Sequence, residues 1–365
     1  MNGRKGLAKL WICVLVIAVG LACFYGGYQI ATSIIPTETG TAPPTTPPSS
    51  VEKVVIIDSA GRYVEINKPV KKVVVLDSDA ATAVILLNAT DVVVGVGDVV
   101  AQRPELYGEL SNRTNVGKWS SPDYEKIIEL KPELVLSYVK WPGSEAEEKL
   151  EPLGVKVVRL DFYIPQTMAR ELKTLGMILG REAEANTICQ WIDNLSNLIN
   201  DRLKDLKEEN KVRTYLEQYS AWTVGGPGSG QYDLAIRAGL KPVGEFTTAY
   251  PKVTAEWVID QNPDMVMKMI TGSPLTLNIT NYESVKNDIA SRLGPTKAVR
   301  SGKIIILPGE LAYKPSFPIA VLCVAKFAYP ERFSDVDPEV YLRQYLAFRR
   351  LELKGVWWYP TNLGG

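Results

Sequence analysis

Short runs of β-branched and aliphatic residues alternate along this chain with segments whose apolar positions recur at helical spacing. Residues 54–66 (VVIIDSAGRYVEI) contain two such runs around Ser-Ala-Gly-Arg, which is typical of a turn, and they predict a hairpin. Later apolar runs are each followed by a short helical segment. Strands that alternate with helices favour a parallel sheet covered on both faces. The runs that predict these strands lie at residues 71–79, 91–98, 132–139 and 155–161.

After Pro165 the pattern becomes continuously helical. Residues 166–180 predict one helix, and a second helix of about 25 residues is predicted from residue 182. The alternation of strands and helices resumes at residue 212, and two amphipathic helices, at 315–329 and 337–351, close the pattern. The apolar stripe of the second helix consists of Ile188, Ile192, Leu195, Ile199, Leu203 and Leu206.

One phrase occurs twice in the chain. YEKIIELKPELVL at residues 124–136 returns as AEWVIDQNPDMVM at residues 255–267. Each copy predicts a short helix, a turn at proline and a buried strand, and each carries a glutamate, Glu125 or Glu256, at its second position. Because one copy falls on either side of the helical stretch, the repeat predicts two similar α/β lobes, joined by a rigid helix, with a cleft between them.

The N-terminal region has the pattern of a membrane signal. Arg4, Lys5 and Lys9 precede an apolar segment without charge, so the body of the chain is predicted to lie outside the cell. An uncleaved single-pass anchor, a lipid-anchored form and a cleaved signal all fit this pattern. The predicted organisation is a cytoplasmic basic tip (1–9), a transmembrane or signal segment (10–35), a Pro/Thr/Ser stalk (36–50), an N-terminal lobe (51–164), connecting helices (165–210), a C-terminal lobe (211–351) and a tail (352–365).

Composition excludes several classes of function. Lys+Arg and Asp+Glu are both 41, so no basic excess indicates nucleic acid. The chain contains no histidine, which removes the commonest zinc ligand and the usual neutral-pH base. We therefore predict no catalytic residues, no metal site and no cofactor. Cys189 and Cys323 fall in helical patterns and are interpreted as buried free thiols in preference to a disulfide.

Four stretches carry a resemblance to a known family. They are VGKWSSPDYEKIIELKPELVLS, LGMILGREAEA, GSGQYDLAIRAGLKPVG and KFAYPERFSDVDPEVYLRQYL, which start at residues 116, 175, 228 and 326. In this order the chain resembles the class III solute-binding proteins of ABC importers, which carry cobalamin, ferric siderophores or haem. The resemblance implies two Rossmann-like lobes, a single long backbone helix that limits their motion, and a ligand held between them. It also implies that Glu125 and Glu256 dock on arginines of the permease dimer.

Ligand contacts are expected from loops that follow the carboxyl ends of strands. Aromatic side chains there suit a large flat or chelated ligand, because rings supply contact area at little entropic cost. Acidic and hydroxyl groups at Asp77, Ser78 and Asp79 and the lysines Lys140 and Lys268 lie in similar places. The predicted ligand-binding residues are Trp119, Ser120, Trp141, Tyr219, Trp222, Tyr232, Tyr250, Tyr313 and Lys314.

The function predicted from these observations is that of an extracytoplasmic receptor, not an enzyme. It captures an Fe(III)-siderophore-type chelate or a corrinoid and delivers it to a membrane permease with its cytoplasmic ATPase. The glycine-rich segment at 225–233 lacks the Lys-Ser/Thr of a P-loop. Its glycines either let backbone N–H groups bind an anionic edge of the ligand or only form a turn. The alternatives are a chelatase- or nitrogenase-like enzyme subunit and a membrane-tethered sensor with the same fold.

Overall fold

The computed structural model describes residues 52–363. The predicted anchor and stalk lie outside these residues. Within the described part of the chain, no helix combines the length and the apolar character that a membrane crossing requires. The strands are β1 (Glu52–Ile57), β2 (Tyr63–Lys68), β3 (Val73–Val75), β4 (Val93–Val96), β5 (Thr114–Asn115), β6 (Gly117–Lys118), β7 (Ser121–Pro122), β8 (Leu134–Ser137), β9 (Lys156–Arg159), β10 (Arg213–Glu217), β11 (Lys241–Pro242), β12 (Met265–Ile270) and β13 (Ile304–Pro308).

Helices separate most of these strands, as the alternating pattern predicts. Short 3-10 turns extend several of them, for example at Glu151–Leu153 and Pro330–Phe333. The α-helices are α1 (Ser78–Leu86), α2 (Asp98–Ala101), α3 (Pro104–Tyr107), α4 (Tyr124–Glu129), α5 (Glu145–Leu150), α6 (Pro165–Leu179), α7 (Glu182–Leu203), α8 (Gly230–Arg237), α9 (Ala255–Gln261), α10 (Ile279–Leu293), α11 (Lys297–Arg300), α12 (Gly309–Ala312), α13 (Phe317–Ala328) and α14 (Pro338–Phe348).

Strands β1 and β2 pair antiparallel as the predicted hairpin, and β6 and β7 form a second antiparallel pair. The other described strands form two parallel sheets with the same winding. The first sheet has the order β5-β4-β3-β8-β9, and the second has the order β11-β10-β12-β13. In each sheet the first strand, β3 or β10, lies between the next strand of the chain, β4 or β11, and the strand of the repeated phrase, β8 or β12. The repeated phrase supplies α4 and β8 in one sheet and α9 and β12 in the other. We call residues 52–164 the first half and residues 211–363 the second half.

Burial explains why the strands read as continuous apolar runs. All three residues of β3 are buried, because the sheet is covered on both faces. Val73 and Val75 face the larger core, whereas Val74 between them faces a smaller core. Ile127 of α4 and Leu150 of α5 close that smaller core from outside. The larger core is continuous and includes residues of both sheets, so the described residues form one compact unit.

Two consecutive helices, α6 and α7, connect the sheets along the chain. The first ends at Gly180, whose φ of +67° is the left-handed conformation that glycine adopts readily. The second has 22 residues and is therefore about 33 Å long. It is shorter than the predicted length, since Leu206 lies beyond its end and packs with Leu203 near Gly239. The predicted stripe from Ile188 to Ile199 is buried.

The segment predicted as a C-terminal tail is packed onto the second half. Tyr359 pairs with Ile306 of β13 through two backbone hydrogen bonds of 2.8 and 3.0 Å. Trp357 and Trp358 are buried, and the ring of Tyr359 stacks on Tyr282. Two tryptophans and a tyrosine in one short segment provide enough apolar area to hold it in place.

Both cysteines of the described residues are buried free thiols, which confirms the interpretation of Cys189 and Cys323. Burial raises the pKa of each thiol. Both side chains therefore behave as small apolar groups in the core.

A buried ionic network joins the two halves. The ammonium group of Lys314 lies 2.7 Å from a carboxylate oxygen of Asp79 and donates to the carbonyl of Ser78 at 3.1 Å. Glu310 lies near the same ammonium group and accepts from Arg349 at 3.1 Å. Arg349 also donates to the backbone carbonyl of Leu106 in the first half at 2.8 Å. Two acidic and two basic side chains thus compensate one another away from water.

We predict that Arg349→Met destabilises the protein by about 3–5 kcal/mol, because it leaves the buried Glu310 with an incomplete set of partners. The matched control is Arg343→Met in α14, the helix that ends just before Arg349. Arg343 pairs with Glu339 on the surface, where an ion pair contributes little. Urea unfolding of both variants measures the difference. Equal unfolding midpoints for the two variants would show that the buried network does not stabilise the fold.

Candidate ligand-binding cleft

A cleft of about 700 Å³ opens where strand ends of both sheets meet. Parallel strands direct their carboxyl ends to one edge of a sheet, so the loops after β3, β9, β10 and β13 converge there. The beginning of α6 and the beginning of α8 complete the walls. The lining residues are Asp79, Tyr163, Ile164, Pro165, Gln166, Gln218, Tyr219, Gly228, Ser229, Gly230, Tyr232, Asp233, Tyr250 and Tyr313.

Tyrosine is the dominant side chain of this cleft, with five of the lining positions. Burial, followed by the effect of Asp161, raises the pKa of Tyr163 to about 12. Burial, followed by Tyr250, likewise raises the pKa of Tyr219 to about 12. These hydroxyls therefore remain neutral donors at physiological pH. Among the described residues that line the cleft there is no lysine or arginine.

Asp79 lines the cleft on the side of the first half, together with Tyr163 and Ile164. Its neighbour Asp77 caps α1, accepting from the backbone N–H groups of Asp79 and Ala80 at 3.0 and 2.8 Å. The carboxylate of Asp79 accepts from the hydroxyl of Tyr138 at 2.6 Å and from Lys314 at 2.7 Å. Burial and the charge of Asp79 raise the pKa of Asp77. The negative charge on the cleft wall is therefore already compensated by the protein.

The glycine-rich segment at 225–233 lets the start of α8 approach the rest of the cleft. The hydroxyl of Ser229 caps the helix by accepting from the backbone N–H of Tyr232. A Cβ atom at Gly230 would lie 2.8 Å from the ring of Tyr313, which is closer than carbon atoms approach. Gln231 is buried and donates to the carbonyls of Glu217 and Met267. The glycine at 230 is thus required for close packing of Tyr313, whichever ligand is bound.

An ionic cluster lies beneath the loop after β10. Glu217 is buried and accepts two hydrogen bonds of 2.9 Å from Arg292. Lys268 lies 3.2 Å from Glu217 and donates to the carbonyls of Gln218 and Tyr219 at 2.6 and 3.1 Å. Burial lowers the pKa of Lys268, and the charge of Glu217 opposes that shift. This cluster holds the backbone from which Tyr219 projects.

The structure brings together four of the nine predicted ligand-binding residues, Tyr219, Tyr232, Tyr250 and Tyr313. Trp119 and Trp141 contact each other edge to face, and Trp119 contacts Tyr138, which in turn contacts Tyr163 at the cleft. Ser120 lies in the turn between β6 and β7. The ring of Trp222 lies under the guanidinium of Arg292, and Lys314 is buried in the network described above. Ligand contact by any of the nine residues stays a prediction.

Several lining residues are absent from the predicted set. Tyr163 lies in the loop after β9, which ends at Arg159, so the same rule about aromatic residues after buried strands could have found it. No sequence pattern marks Gln166 and Asp233 as lining residues, because they come close only when α6 packs near α8 in the folded chain. The amide of Gln166 donates to the carboxylate of Asp233 at 2.9 Å across the cleft mouth. Gln218 is likewise placed by the end of β10 and not by a pattern in the sequence.

The two repeated glutamates occupy equivalent positions. Glu125 lies in the first turn of α4 after the cap residue Asp123, and Glu256 lies in the first turn of α9 after the cap residue Thr254. Both side chains are exposed. A hydrogen bond from its own backbone N–H and one from the Thr254 hydroxyl lower the pKa of Glu256. Exposed carboxylates in matched positions are suited to a partner with two arginines, and that contact stays a prediction.

Two parallel sheets whose strand ends enclose a ligand-sized cleft define the class of α/β binding proteins. Comparison with known proteins agrees, since the family model described as periplasmic binding protein matches residues 73–311. The chain therefore belongs to the periplasmic binding protein family, as its resemblance to the class III members implies.

Individual relatives are distant but cover much of the chain. The molybdate-binding protein MolA of Haemophilus influenzae is 22% identical over 325 residues, which are 80% of this chain and 89% of that protein. The petrobactin-binding protein YclQ of Bacillus subtilis is 24% identical over 68% of this chain and 78% of its own. The solved structure of the TroA-like periplasmic binding protein FepB from Veillonella parvula superimposes with a TM-score of 0.73 at 20% identity, covering 85% of this chain and all (100%) of that chain.

We predict a specific loss of stability at high pH from Tyr163 and Tyr219. Tyrosine in the unfolded chain loses its proton near pH ~10, whereas in the folded protein burial raises both pKa values to about 12. The contribution of the two hydroxyls is fully present below the lower value and is lost as pH rises towards the higher one. Urea unfolding across this window should show a smaller decline for Tyr163→Phe/Tyr219→Phe than for wild type. Parallel declines would contradict the assignment.

Proposed function

We propose that this protein is the extracytoplasmic substrate-binding subunit of an ABC importer, and that it captures an Fe(III)-siderophore-type chelate in the cleft. The observation that carries the proposal is the cleft of five tyrosines between two similar α/β halves. Family membership supports the importer role, and the petrobactin-binding relative supports the ligand class.

The size and chemistry of the cleft favour a compact chelate. Its volume of about 700 Å³ is in the range of sites that enclose a drug-sized ligand. Tyrosine rings supply flat contact area, and their hydroxyls donate to phenolate, carboxylate or carbonyl oxygens of a chelator. A corrinoid, the second ligand class expected from the sequence, is larger and would be only partly enclosed.

A second candidate ligand is a small oxyanion of the molybdate type. The relative MolA, by its name, binds molybdate. The start of α8 lines the cleft at Gly230, and helix N-termini favour anions through their backbone N–H groups. The lining side chains, however, add no positive charge, so such an anion would depend on neutral donors alone. Competition between molybdate and a ferric chelate distinguishes the two ligands.

Delivery to the membrane uses the outer surface of each half. Glu125 and Glu256 engage arginines of the two permease subunits, whose cytoplasmic ATPase drives uptake. Helices α6 and α7 act as the backbone that limits motion of one lobe (51–164) against the other (211–351). The segment at residues 10–35 anchors the chain in the cell membrane, as a single span or through a lipid, with the body on the outer side.

Ligand capture is tested by titration with ferric chelates, followed by quenching of tryptophan fluorescence. We expect Tyr219→Phe and Tyr232→Phe each to weaken binding about fivefold, because each removes one hydrogen bond of about 1 kcal/mol. Tyr63→Phe, on the exposed side of β2, serves as the control and should leave binding unchanged. If no ferric chelate changes the fluorescence of the wild type, the proposed ligand class is wrong.

Docking is tested with Glu125→Gln/Glu256→Gln. We expect the double variant to keep the ligand affinity of the wild type and to lose most uptake in cells, because only the carboxylates that face the permease are changed. The matched control is Glu129→Gln/Asp260→Asn, which removes one exposed carboxylate from each of the same two helices. Uptake of a radioactive iron(III) complex is the measurement. Normal uptake by the first double variant would show that Glu125 and Glu256 are not the docking contacts. Uptake that does not depend on the wild-type protein at all would favour a tethered sensor over an importer subunit.

A further inference from the structure

A second cavity of about 460 Å³ adjoins the cleft in the second half. Tyr219 lines both spaces and so forms the wall between them. The remaining walls come from the end of β12, the loop after it and one face of α10. The lining residues are Tyr219, Ala221, Lys268, Ile270, Thr271, Leu277, Asn281, Ser284, Val285 and Asp288. We call this space the side pocket.

The backbone of Tyr219 is held by hydrogen bonds, whereas its side chain is not. Lys268 holds the backbone carbonyl of Tyr219 at 3.1 Å, and Lys268 is itself held by Glu217. The hydroxyl of Tyr219 makes no hydrogen bond to any residue that the structure describes. It rests instead against Gly309, where a Cβ atom would overlap the hydroxyl oxygen and lie 3.3 Å from Cζ of the ring. Only glycine at this position leaves room for the hydroxyl.

The polar groups of the side pocket favour an uncharged guest. The charge of Lys268 is compensated by Glu217, and its ammonium donates to two carbonyls, so it does not attract a further anion. Asp288 pairs with Arg292 at 2.8 Å and leaves no excess of positive charge. Ser284 and Thr271 present hydroxyls that have no partner among residues 52–363, beside the apolar wall of Val285. Hydroxyl groups beside an apolar wall suit an amide or alcohol group on a short carbon chain.

We propose that the side pocket is a subsite for an uncharged, amide- or hydroxyl-bearing arm of the ligand, and that Gly309 leaves the space in which the ring of Tyr219 forms the wall that the arm passes. This inference rests on the proposed function, since it assumes that the ligand body occupies the cleft. It assigns the side pocket to ligand recognition and makes Gly309 a positioning residue. The protein then binds ligands that carry such an arm more tightly than ligands with the same iron-binding group and no arm.

The subsite is tested by filling it. Ser284→Tyr places a bulky side chain in the side pocket, and Asn287→Tyr makes the same change on an exposed position of α10 that does not line it. The probes are the iron(III) complex of 2,3-dihydroxybenzoic acid, which has no arm, and that of an amide-linked bis-catechol with a hydroxyl-bearing linker. We expect Ser284→Tyr to weaken the second complex about tenfold, the equivalent of one or two lost hydrogen bonds, and to leave the first within about twofold. Equal losses for both complexes, or for both variants, overturn the subsite.

The role of Gly309 is tested by a double-mutant cycle. Gly309→Ala should displace the ring of Tyr219 and change the ratio of the two affinities, whereas the same substitution in a Tyr219→Phe background should change it little, because the overlapping oxygen is gone. Gly294→Ala, at the end of α10, is the control, since its added carbon would meet its nearest neighbour at 3.3 Å. Crystal structures of these variants report the ring position without any ligand. An unmoved Tyr219 in Gly309→Ala refutes the positioning role.

Failure of the subsite and failure of the proposed function are distinguishable. If the wild type binds the compact complex while Ser284→Tyr affects neither complex, the side pocket is not a subsite and the importer role stands. If the wild type binds neither complex, the proposed ligand class fails. The side pocket is then probed with N-acetylserinamide by NMR. Chemical-shift changes at residues 271, 281 and 284 that disappear in Ser284→Tyr support the subsite, and their absence overturns it.

Discussion

The architecture depends on a lysine from one half of the molecule that ends inside the other. Lys314 follows β13, yet its ammonium lies among groups of α1 and contacts the carboxylate of Asp79. A buried charge that loses its partner is strongly destabilising, so the two segments are held in one arrangement. Because Asp79 also lines the cleft, the same contact determines where the cleft wall stands. Glu310 and Arg349 extend this constraint to the last helix.

The charges near the cleft are used to build it and are therefore not available to a ligand. Asp79 is compensated by Lys314, and Glu217 is compensated by Lys268 and Arg292. Asp233, the other carboxylate of the lining, is paired with Arg237. What remains at the surface of the cleft is aromatic area, neutral hydroxyl groups and the amides of Gln166 and Gln218. Recognition of a ligand by such a surface depends on shape and on hydrogen bonds. A mismatched ligand leaves a buried donor or acceptor without a partner, which costs the full desolvation free energy of that group. Selectivity then follows from the placement of the rings.

Much of the fold could be predicted from the sequence, because its signals are local. The alternation of apolar runs and helices predicted the parallel sheets, and the repeated phrase predicted two similar units with matched acids at Glu125 and Glu256. The family resemblance is confirmed. The end of α7 was harder to predict, since the apolar stripe continues to Leu206 while the helix ends at Leu203. Leu203 and Leu206 both lie beside Gly239, which is distant in the sequence, so an apolar stripe can continue past the end of a helix.

The cleft shows what a sequence determines alone and what it leaves to tertiary structure. Strand ends pointed to the edge of each sheet where the cleft opens, and four predicted tyrosines line the cleft because parallel strands bring their following loops together. Whether a given side chain faces the cleft depends on its neighbours in space. Trp119 contacts Trp141 and Tyr138, and Lys314 is paired with a residue 235 positions earlier in the chain. Periodicity reports that a position is buried, but only the folded chain decides which partner buries it.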